Sequence, residues 1–439
     1  MLGNSARPRS APAGGRSLRE MAAAAAQPQP AAKNRKSSAG AANSAKAKRK
    51  SGKSANKSNN NNNNNNNPGI SSRSSSAAAE AEATAADAQH GIAWQPRVAF
   101  VNDPALPLEE RLGNEMASYC AYTSATVAGL QKAIDAAVAH IAACVVALWP
   151  EASVACFGSF ASGLWLPSSD VDVVVLGLSS EHDPDVKTRF VVGKKELQQL
   201  AARLRTQQWV QRIDVVSSAK VPVAKLVLAE RGLRVDISVE NVHTRSGIDA
   251  SELVRAAVAA EPALHALVVV VRQLLREKGL NDAFTGGLSS YAVALLAMYL
   301  VARQELPAPA GDRDSARDSD AARGRLLLAF LEFYGLTFDY ATTGISLQPE
   351  AFGEYFLAPH VLRSNGVALV PQLVLDDPVA PGGQHNAAAG AFAIARVIAA
   401  FEDAFYAISF HRASRFAPTP LCQVLHRSGH ASPPTPTAG

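Results

Sequence analysis

The fold is decided by residues 157–175, which read FGSFASGLWLPSSDVDVVV. In this stretch a Gly-Ser pair, Gly158-Ser159, stands eleven residues ahead of Asp170-Val171-Asp172. The run of valines that begins at Val171 predicts a buried strand, and alternate side chains of a strand point to the same face. We therefore expect the carboxylates of Asp170 and Asp172 to share one face, a few ångströms apart.

A third carboxylate, Asp236, lies within the apolar run RVDISV at residues 234–239. A carboxylate inside a strand is costly unless it is bound or hydrogen-bonded. Carboxylates close together repel one another unless cations neutralise them, and Mg²⁺ prefers such oxygen ligands together with phosphate oxygens. Three strand carboxylates and a Gly-Ser turn therefore predict two-metal phosphoryl or nucleotidyl transfer.

The candidate catalytic residues divide this chemistry between them. Asp170 and Asp172 are predicted to bridge two Mg²⁺ or Mn²⁺ ions, and Asp236 to complete the site of the ion that activates an attacking 3′-hydroxyl. The amides of Gly158 and Ser159 and the Ser159 hydroxyl, at a predicted helix N-terminus, are expected to bind phosphate. A lone Gly-Ser is usually a turn and a lone Asp-x-Asp usually a solvated loop. Only their combination with Asp236, in strand context, indicates a site.

The composition excludes several classes of protein. The chain has 439 residues, which suits roughly two to four domains. Residues 1–92 carry 14 Lys and Arg against 4 Asp and Glu, whereas the remainder carries 29 against 34, so the basic charge belongs to an N-terminal arm. The four cysteines form no CxxC pair, which excludes a zinc ribbon, and the longest apolar run, residues 288–302, is too short to span a bilayer. We expect a soluble intracellular protein.

Hydrophobic periodicity divides the rest of the chain into a mixed block and a helical region. Apolar residues at spacings of three and four predict a helix from Val127 to Leu148, which Pro150 ends. Strands then dominate as far as Val239, and the pattern after Ile248 is mostly helical. The predicted strands are Val154–Phe157, Val171–Leu176, Arg212–Ser217, Val221–Leu228 and Leu233–Val239; the predicted helices are Lys194–Thr206, Ser251–Ala260, Leu264–Lys278, Leu288–Arg303, Gly324–Gly335 and Gly390–Phe410.

Three segments show no such periodicity. Residues 1–92, rich in Ala, Ser and Asn, are predicted to be disordered. Their basic cluster between Lys46 and Lys53 indicates a nuclear localisation signal or a weak nucleic-acid contact, with a merely solvated tail as the alternative. Residues 306–322 are predicted to form a surface insertion, and residues 413–439 a disordered tail.

Residues 157–175 closely resemble the signature of the DNA-polymerase-beta-like nucleotidyltransferases, and among these the non-canonical poly(A) RNA polymerases of the TRAMP-complex type. Three further blocks carry the same resemblance, in order, within residues 105–412. They are VPVAK at 221–225 leading into VDIS at 235–238, LVVVVRQLLREKGLNDAFTGGLSSY at 267–291, and LAFLEFYGLTFDYATTGI at 328–345.

The resemblance implies an α+β fold in which a polymerase-beta-like palm, a mixed sheet with helices, is inserted in a mostly helical central (PAP-associated) domain. The implied boundaries are 150–245 for the palm and 105–149 plus 246–412 for the central domain. It implies template-independent addition of adenosines to RNA 3′ ends in nuclear RNA surveillance and 3′-end processing or degradation, with Mg²⁺ or Mn²⁺ as cofactor and ATP as substrate.

The resemblance also implies partners and a location. The partners are an RNA 3′ end, a zinc-knuckle RNA-binding subunit and an RNA helicase, with no membrane and no DNA; the location is the nucleus, including the nucleolus. Three other readings stay open. A terminal uridylyltransferase would use the same chemistry. A nucleotide-signalling cyclase is opposed by the intact helical blocks, and a catalytically weak scaffold subunit by the three intact aspartates.

The resemblance places nucleotide contacts outside the palm. Family lysines that bind the triphosphate are replaced by Arg272 and Arg276, which keep the charge and add a planar fork. Ser290-Tyr291 match a Ser-Tyr pair whose tyrosine ring stacks on the base and whose hydroxyl meets phosphate; a core aromatic is the alternative for Tyr291. An asparagine that contacts the ribose is replaced by Ser246, ahead of Gly247, after about three extra residues.

The base-reading segment departs most from the family pattern. Asp377-Pro378 and Pro381-Gly382 match it, but the Asn-Asp pair has become Gly383-Gln384 and the family arginine is absent. Gln384, His385 or Asn386 could donate hydrogen bonds to the base instead. The alternatives are a loop that no longer reads adenine and, for His385, a solvated side chain.

Overall fold

The computed structural model describes residues 105–178, 186–217, 221–304, 320–357, 371–380, 385–414 and 417–425. The predicted N-terminal arm, most of the 306–322 insertion and the end of the predicted tail lie outside these ranges. Within them the α+β class predicted from the sequence is confirmed.

A single long helix, α1 (Leu108–Val146), runs through both halves of the protein. Its first part buries Leu112, Met116 and Tyr119 in one hydrophobic core, and its last part buries Ile134 and Ile141, among others, in a second. Among the described residues it is the one helix long and apolar enough, by length and composition alone, to cross a bilayer. Its buried residues are used within the protein, as expected of a core helix.

A five-stranded mixed sheet carries the three aspartates. The strands are β1 (Ser153–Phe157), β2 (Val171–Leu176), β3 (Val210–Val216), β4 (Val223–Leu228) and β5 (Arg234–Val239), in the order β1-β2-β5-β4-β3. β2 and β5 are parallel, and the other neighbours are antiparallel. A single helical turn, α2 (Gly158–Ala161), follows β1, and α3 (Val186–Leu204) packs with the end of α1 to form the core beneath the sheet.

The helical region follows the sheet along the chain. It consists of α4 (Val242–Ala260), α5 (Pro262–Glu277), α6 (Ser290–Gln304), α7 (Asp320–Glu332) and α8 (Ile394–Ser409), with a π-helical turn at Phe333–Thr337. The helix α5 is buried nearly all round, which its uninterrupted run Leu267–Val271 explains. Where α1 crosses α7, a β-carbon on Gly113 would lie 1.6 Å from the carbonyl oxygen of Asp320, so only glycine permits this close crossing.

A second, small sheet closes the helical region and was not predicted from the sequence. Its strands are β6 (Thr343–Ser346), β7 (Gly353–Phe356) and β8 (Leu375–Asp376), in the order β7-β6-β8. At two to four residues each, these strands are too short to show a clear alternation of apolar and polar side chains. The strand β8 positions Asp377, which follows it directly.

Two further predictions need correction. The first helix begins at Leu108, about 19 residues before the predicted start. The predicted disordered tail does not hold for residues 417–425, where Leu421, Cys422 and Leu425 are fully buried against the helical core. The domain boundaries remain a prediction, because α1 contributes to both cores.

Candidate functional site

The sheet places the three aspartates at the same end of two neighbouring inner strands, β2 and β5. Asp172 on β2 and Asp236 on β5 are direct partners in the parallel register, and neighbouring strands lie about 4.8 Å apart. Asp170 comes two residues before Asp172, immediately ahead of β2. The expected juxtaposition of Asp170 and Asp172 with Asp236 is therefore what the sheet topology produces.

Two basic side chains pair with the outer aspartates. The Lys225 Nζ atom lies 2.6 Å from Asp236 Oδ2, and the Arg234 Nε atom lies 2.5 Å from Asp170 Oδ1. Both basic side chains are about half exposed, 49% for Lys225 and 54% for Arg234, so either can turn into solvent. The carboxylate that it leaves, Asp236 or Asp170, then needs another cation to neutralise it. Within the described residues no group of three or more His, Cys, Asp or Glu side chains is already drawn together as a metal site.

The central carboxylate, Asp172, lies in the least favourable electrostatic position. Burial, and after it the charges of Asp236 and Asp170, raise its pKa to about 7, and Lys225 and Arg272 only partly oppose them. Burial also raises the pKa of Asp236 in spite of its bond to Lys225. For Lys225, burial lowers the pKa, but the bond to Asp236 and the charges of the three aspartates together outweigh burial, and the pKa is raised.

The three carboxylates fit hard divalent cations as ligands. For Asp236 and Asp170 to bind a cation, their ion pairs with Lys225 and Arg234 must first open. Three carboxylates that disfavour one another's charge are the ligands that Mg²⁺ and Mn²⁺ prefer. Lys225 and Arg234 offset part of this charge at the outer two positions. The pKa of Asp172 stays raised in spite of these cations, chiefly because of burial and then because of the charges of Asp236 and Asp170.

The Gly-Ser turn is held against the central carboxylate. Gly158 has φ +67°, and a β-carbon on it would meet Asp172 Oδ2 at 2.3 Å. The Gly158 amide, which we expected to bind phosphate, donates instead to Ser251 Oγ at 2.6 Å. Because α2 is a single turn of four residues, its dipole adds little, and the Ser159 side chain becomes the main candidate for a phosphate contact at this turn.

A cavity of about 210 Å³ opens beside these residues. The palm contributes Gly158, Ser159 and Asp172 to its wall, α4 contributes Ser251, and α6 begins the opposite wall with Ser290-Tyr291. The structure thus brings together the predicted Gly-Ser turn, one catalytic aspartate and the predicted Ser-Tyr pair around one space.

Tyr291 is tied to the segment expected to read the base. Its hydroxyl donates to Asp377 Oδ1 at 2.7 Å, and the His385 Nδ1 atom lies 3.2 Å from Asp377 Oδ2. The hydroxyl was expected to meet phosphate; here it meets a carboxylate. Burial raises the pKa of Tyr291 well above its ordinary value, so the phenol keeps its proton and donates. Gln384 lies outside the described residues.

Arg272 is committed to the palm. Its guanidinium is almost fully buried and donates to the carbonyl oxygen of Leu164, with a longer contact of 3.4 Å to Ser169 Oγ. Burial lowers its pKa to about 10, against the opposing charge of Asp172. Arg272 and Arg276 line a smaller cavity of about 20 Å³ that shares Ser290 with the larger one. In this structure Arg272 therefore braces the loop that leads into Asp170.

The predicted ribose contact lies on the first turns of α4. Asn241 and Thr244 exchange side-chain hydrogen bonds with each other's backbone amides, which caps this helix. The extra residues seen in the sequence are thus absorbed into the helix start. Gly247 packs under the ring of Phe157, where a β-carbon would lie 3.2 Å away. Ser246 and Gly247 are absent from the described residues that line the larger cavity.

The sequence analysis missed four residues that the site uses. Ser251 accepts a hydrogen bond from the Gly-Ser turn, and Asp377 accepts one from Tyr291. Lys225 pairs with Asp236, and Arg234 pairs with Asp170. Asp377, Lys225 and Arg234 stand inside motifs quoted above, so a signal was present for them. Ser251 has no sequence signal, since a serine within a helical pattern is commonplace.

Comparison with known proteins places this geometry in a class. Residues 114–258 match the family model described as "Poly(A) RNA polymerase, mitochondrial-like, central palm domain", and residues 324–359 match the model described as "Cid1 family poly A polymerase". The solved structure of the polymerase core of TRAMP, an RNA surveillance complex, superposes with a TM-score of 0.59 at 26% identity, covering 72% of this chain and 94% of that one. The sheet and the helices around it therefore have the fold of a polymerase-beta-like nucleotidyltransferase core.

Two relatives show which enzymes this chain resembles in sequence. Poly(A) RNA polymerase protein 1 of Eremothecium gossypii is 30% identical over 296 residues, which cover 66% of this chain and 43% of the relative. The inactive non-canonical poly(A) RNA polymerase protein Trf4-2 of Drosophila melanogaster is 30% identical over 278 residues, 62% of each chain. The chain is therefore similar to the non-canonical poly(A) RNA polymerases over about two thirds of its length. It spans less than half the length of the Eremothecium relative.

Proposed function

We propose that this chain is a template-independent RNA 3′-nucleotidyltransferase that adds adenosines to RNA 3′ ends. The observation that carries the proposal is the placement of Asp172 and Asp236 in register on parallel strands, with the Gly-Ser turn against Asp172 and a cavity of about 210 Å³ beside the turn and Asp172. The similarity to poly(A) RNA polymerases supports the same chemistry.

The aspartates are the proposed ligands of the metal ions. Asp170 and Asp172 would hold both ions and Asp236 would complete the first. Mg²⁺ or Mn²⁺ bound there would lower the pKa of the RNA 3′-hydroxyl and offset charge on the triphosphate and on the departing pyrophosphate. Lys225 and Arg234 would exchange their present carboxylate partners for solvent, which their half-exposed positions allow.

The remaining residues orient the nucleotide for in-line displacement. The 3′ oxygen of the RNA forms a bond to the α-phosphorus while the bond to pyrophosphate breaks. Ser159 would contact the phosphates, and the Tyr291 ring would stack on the base, held in place by its bond to Asp377. Arg276 is the better candidate for a cation at the triphosphate, because Arg272 is occupied with the Leu164 carbonyl.

ATP is the proposed nucleotide, on the strength of the family. Tyr291 can stack on any base, so discrimination depends on hydrogen bonds from the segment around His385. His385 is about half exposed and its Nδ1 atom pairs with Asp377, so we propose its other ring nitrogen, Nε2, as the atom that faces the base. A uridylyltransferase is the outcome to test against.

The cellular role is proposed by analogy with relatives. The structural relative is the polymerase core of an RNA surveillance complex, and we propose a similar nuclear role here, with a zinc-knuckle RNA-binding subunit and a helicase as partners. The body of the chain carries more acidic than basic residues, so RNA affinity supplied by a partner or by the basic arm fits the charge distribution.

One assay tests the activity. The purified chain is incubated with a labelled oligoadenylate primer, Mg²⁺ or Mn²⁺, and each nucleoside triphosphate separately, with Asp236→Asn as the matched control. Extension by ATP that the control lacks supports the proposal, and preferential extension by UTP moves the protein to the uridylyltransferases.

The same assay addresses the scaffold reading, which has support because one relative bears the name inactive. The scaffold reading requires no extension with any nucleotide by a chain that is folded by circular dichroism. The three intact aspartates and the cavity beside Asp172 favour activity.

A further inference from the structure

Ser251, on α4, holds the Gly-Ser turn from outside the sheet. Its Oγ atom accepts a hydrogen bond from the Gly158 amide at 2.6 Å and donates one to the Gly247 carbonyl oxygen, one turn earlier, at 2.7 Å. The residue is 6% exposed, so water competes little for either bond. A hydroxyl has one proton and two lone pairs, and these two bonds therefore fix both its position and its orientation.

The turn that Ser251 holds is in contact with the proposed chemistry. The α-carbon of Gly158 lies against the Asp172 carboxylate, and the next residue, Ser159, lines the same cavity. The ring of Phe157 packs on Gly247, one helical turn from Ser251. One face of α4 thus seats the whole Phe157-Gly158-Ser159 turn by a packing contact and a hydrogen bond.

Ser251 differs from an ordinary helical serine, whose hydroxyl bonds only to a carbonyl oxygen one turn earlier in its own helix. Ser118 on α1 makes the same kind of bond to a carbonyl four residues earlier, at 2.9 Å. That bond stays within one helix, whereas Ser251 also bonds a residue 93 positions away in sequence, in the palm. Ser118 is therefore a matched control for the loss of a helical serine hydroxyl.

We infer that Ser251 is a positioning residue for nucleotidyl transfer, which ties α4 to Gly158 and so sets the places of Ser159 and Asp172 in the cavity. This inference rests on the proposed function. By accepting the Gly158 amide, Ser251 keeps that donor away from the nucleotide and leaves the Ser159 side chain to meet phosphate. Its effect falls on the alignment of the triphosphate and not on the binding of RNA.

The test compares Ser251→Ala, Ser251→Thr and Ser118→Ala in the full-length chain. Ser251→Ala removes both hydrogen bonds of the hydroxyl, including the one that reaches Gly158, and we expect kcat/KM for ATP to fall about tenfold, with the KM for the RNA primer unchanged. Ser251→Thr retains a hydroxyl that can make both bonds and should recover most of the loss. Ser118→Ala should change neither constant.

A second readout does not depend on activity. Amide hydrogen exchange in a peptide covering residues 157–162 should speed up in Ser251→Ala and not in Ser118→Ala, because the Gly158 amide has lost its acceptor. Unchanged exchange there overturns the inference, and so does faster exchange with unchanged ATP kinetics. A melting temperature lowered by both Ser251 variants, with no change in ATP kinetics, indicates a merely structural role and overturns it as well.

The two readouts separate the failure of this inference from failure of the proposed function. If the wild-type chain extends no primer with any nucleotide, the proposed function fails, and the positioning role fails with it even where exchange changes as expected. If the wild-type chain is active and Ser251→Ala equals it, only the positioning role fails.

Discussion

The Asp172 carboxylate lies so close to the α-carbon of Gly158 that a β-carbon there would meet Oδ2 at 2.3 Å. Gly158 also has φ +67°, a conformation that residues other than glycine rarely adopt. The turn and the central carboxylate therefore fix one another, and neither can change without displacing the other.

This contact predicts the effect of Gly158→Ala. The added methyl group must push Asp172 away, and we expect nucleotidyl transfer to fall by at least 100-fold, because about 1 Å of misplacement suffices for such a loss. Gly163→Ala is the matched control: Gly163 has φ +77° but nothing within 4 Å of the new β-carbon. Both variants should lose roughly 1–2 kcal/mol of stability from the strained backbone, and only Gly158→Ala should lose activity. Equal activity losses would show that strain, and not the contact with Asp172, is responsible.

The three aspartates should behave as one unit. Replacing Asp170, Asp172 or Asp236 singly by Asn should lower primer extension by several orders of magnitude, and a double variant should be hardly worse than a single one. Circular dichroism should show that the fold is retained, since asparagine has nearly the same shape as aspartate and carries no charge that needs neutralising. Near-normal extension by Asp236→Asn contradicts the two-metal assignment.

Arg272→Lys separates a bracing role from a triphosphate-binding role. A lysine keeps the charge but cannot contact Leu164 and Ser169 at once as the guanidinium fork does. We expect a loss of about 1–3 kcal/mol of stability, measured by thermal unfolding, and a fall in kcat. If Arg272 chiefly bound the triphosphate, the melting temperature would stay constant and the KM for ATP would rise, as we expect for Arg276→Ala.

Stability should depend on pH through Glu115, a fully buried residue of α1 that accepts the Leu421 amide at 2.9 Å. Burial raises its pKa from 4.5 to about 7, against the opposing effects of Thr419, Leu421 and Arg111. Because the folded-state pKa is the higher one, this contribution is complete below about pH 4.5 and is lost as the pH rises through 7. The loss amounts to about 3 kcal/mol at most.

The measurement is the melting temperature of wild type and Glu115→Gln between pH 5 and pH 8, values chosen to bracket the upper part of the titration. The wild type should lose more stability over this interval than the variant, whose side chain cannot ionise. Glu252→Gln, the same change at an exposed position of α4, should follow the wild type. Parallel curves for wild type and Glu115→Gln would refute the assignment.

Base choice should be weaker than in a relative with the full family pattern. One or two side-chain contacts to adenine are absent at Gly383 and Ala387, and each is worth about 1–3 kcal/mol. We expect ATP to be preferred over UTP by a reduced ratio of kcat/KM on a common primer. Gly383→Asn combined with Ala387→Arg should widen the ratio, and Gln384→Ala should narrow it. An unchanged ratio in the double variant would show that another segment reads the base.

The sequence predicted the positions of the three aspartates better than the contacts that hold them in place. Asp170 and Asp172 follow from the two-residue period of a strand, and Asp236 from the cost of a carboxylate in an apolar run. The pairing of Asp172 with Asp236 depends on the parallel arrangement of β2 and β5, which periodicity does not give. The contacts of Ser251 and Arg272 join residues 93 and 108 positions apart, and only the folded chain brings them together.

Two elements that the sequence analysis did not predict, the early part of α1 and the buried C-terminal segment, contain apolar residues that could have indicated them. Leu112, Met116 and Tyr119 recur at spacings of four and three, and all three are buried on the early part of α1, but the intervening polar and alanine residues hid the stripe. In the C-terminal segment, the proline-rich composition predicted disorder although Leu421, Cys422 and Leu425 offer enough apolar surface to anchor it.

The helix α1 makes it hard to produce the sheet and the helical region as separate stable fragments. At 39 residues it is about 58 Å long, and its two ends are buried in different cores. An expression fragment that stops short of either core would leave an apolar stripe of α1 facing water and prone to aggregation. The catalytic sheet and the helical region should therefore melt in a single transition, and a protease that cuts in the exposed middle of α1 should release neither as a stable product.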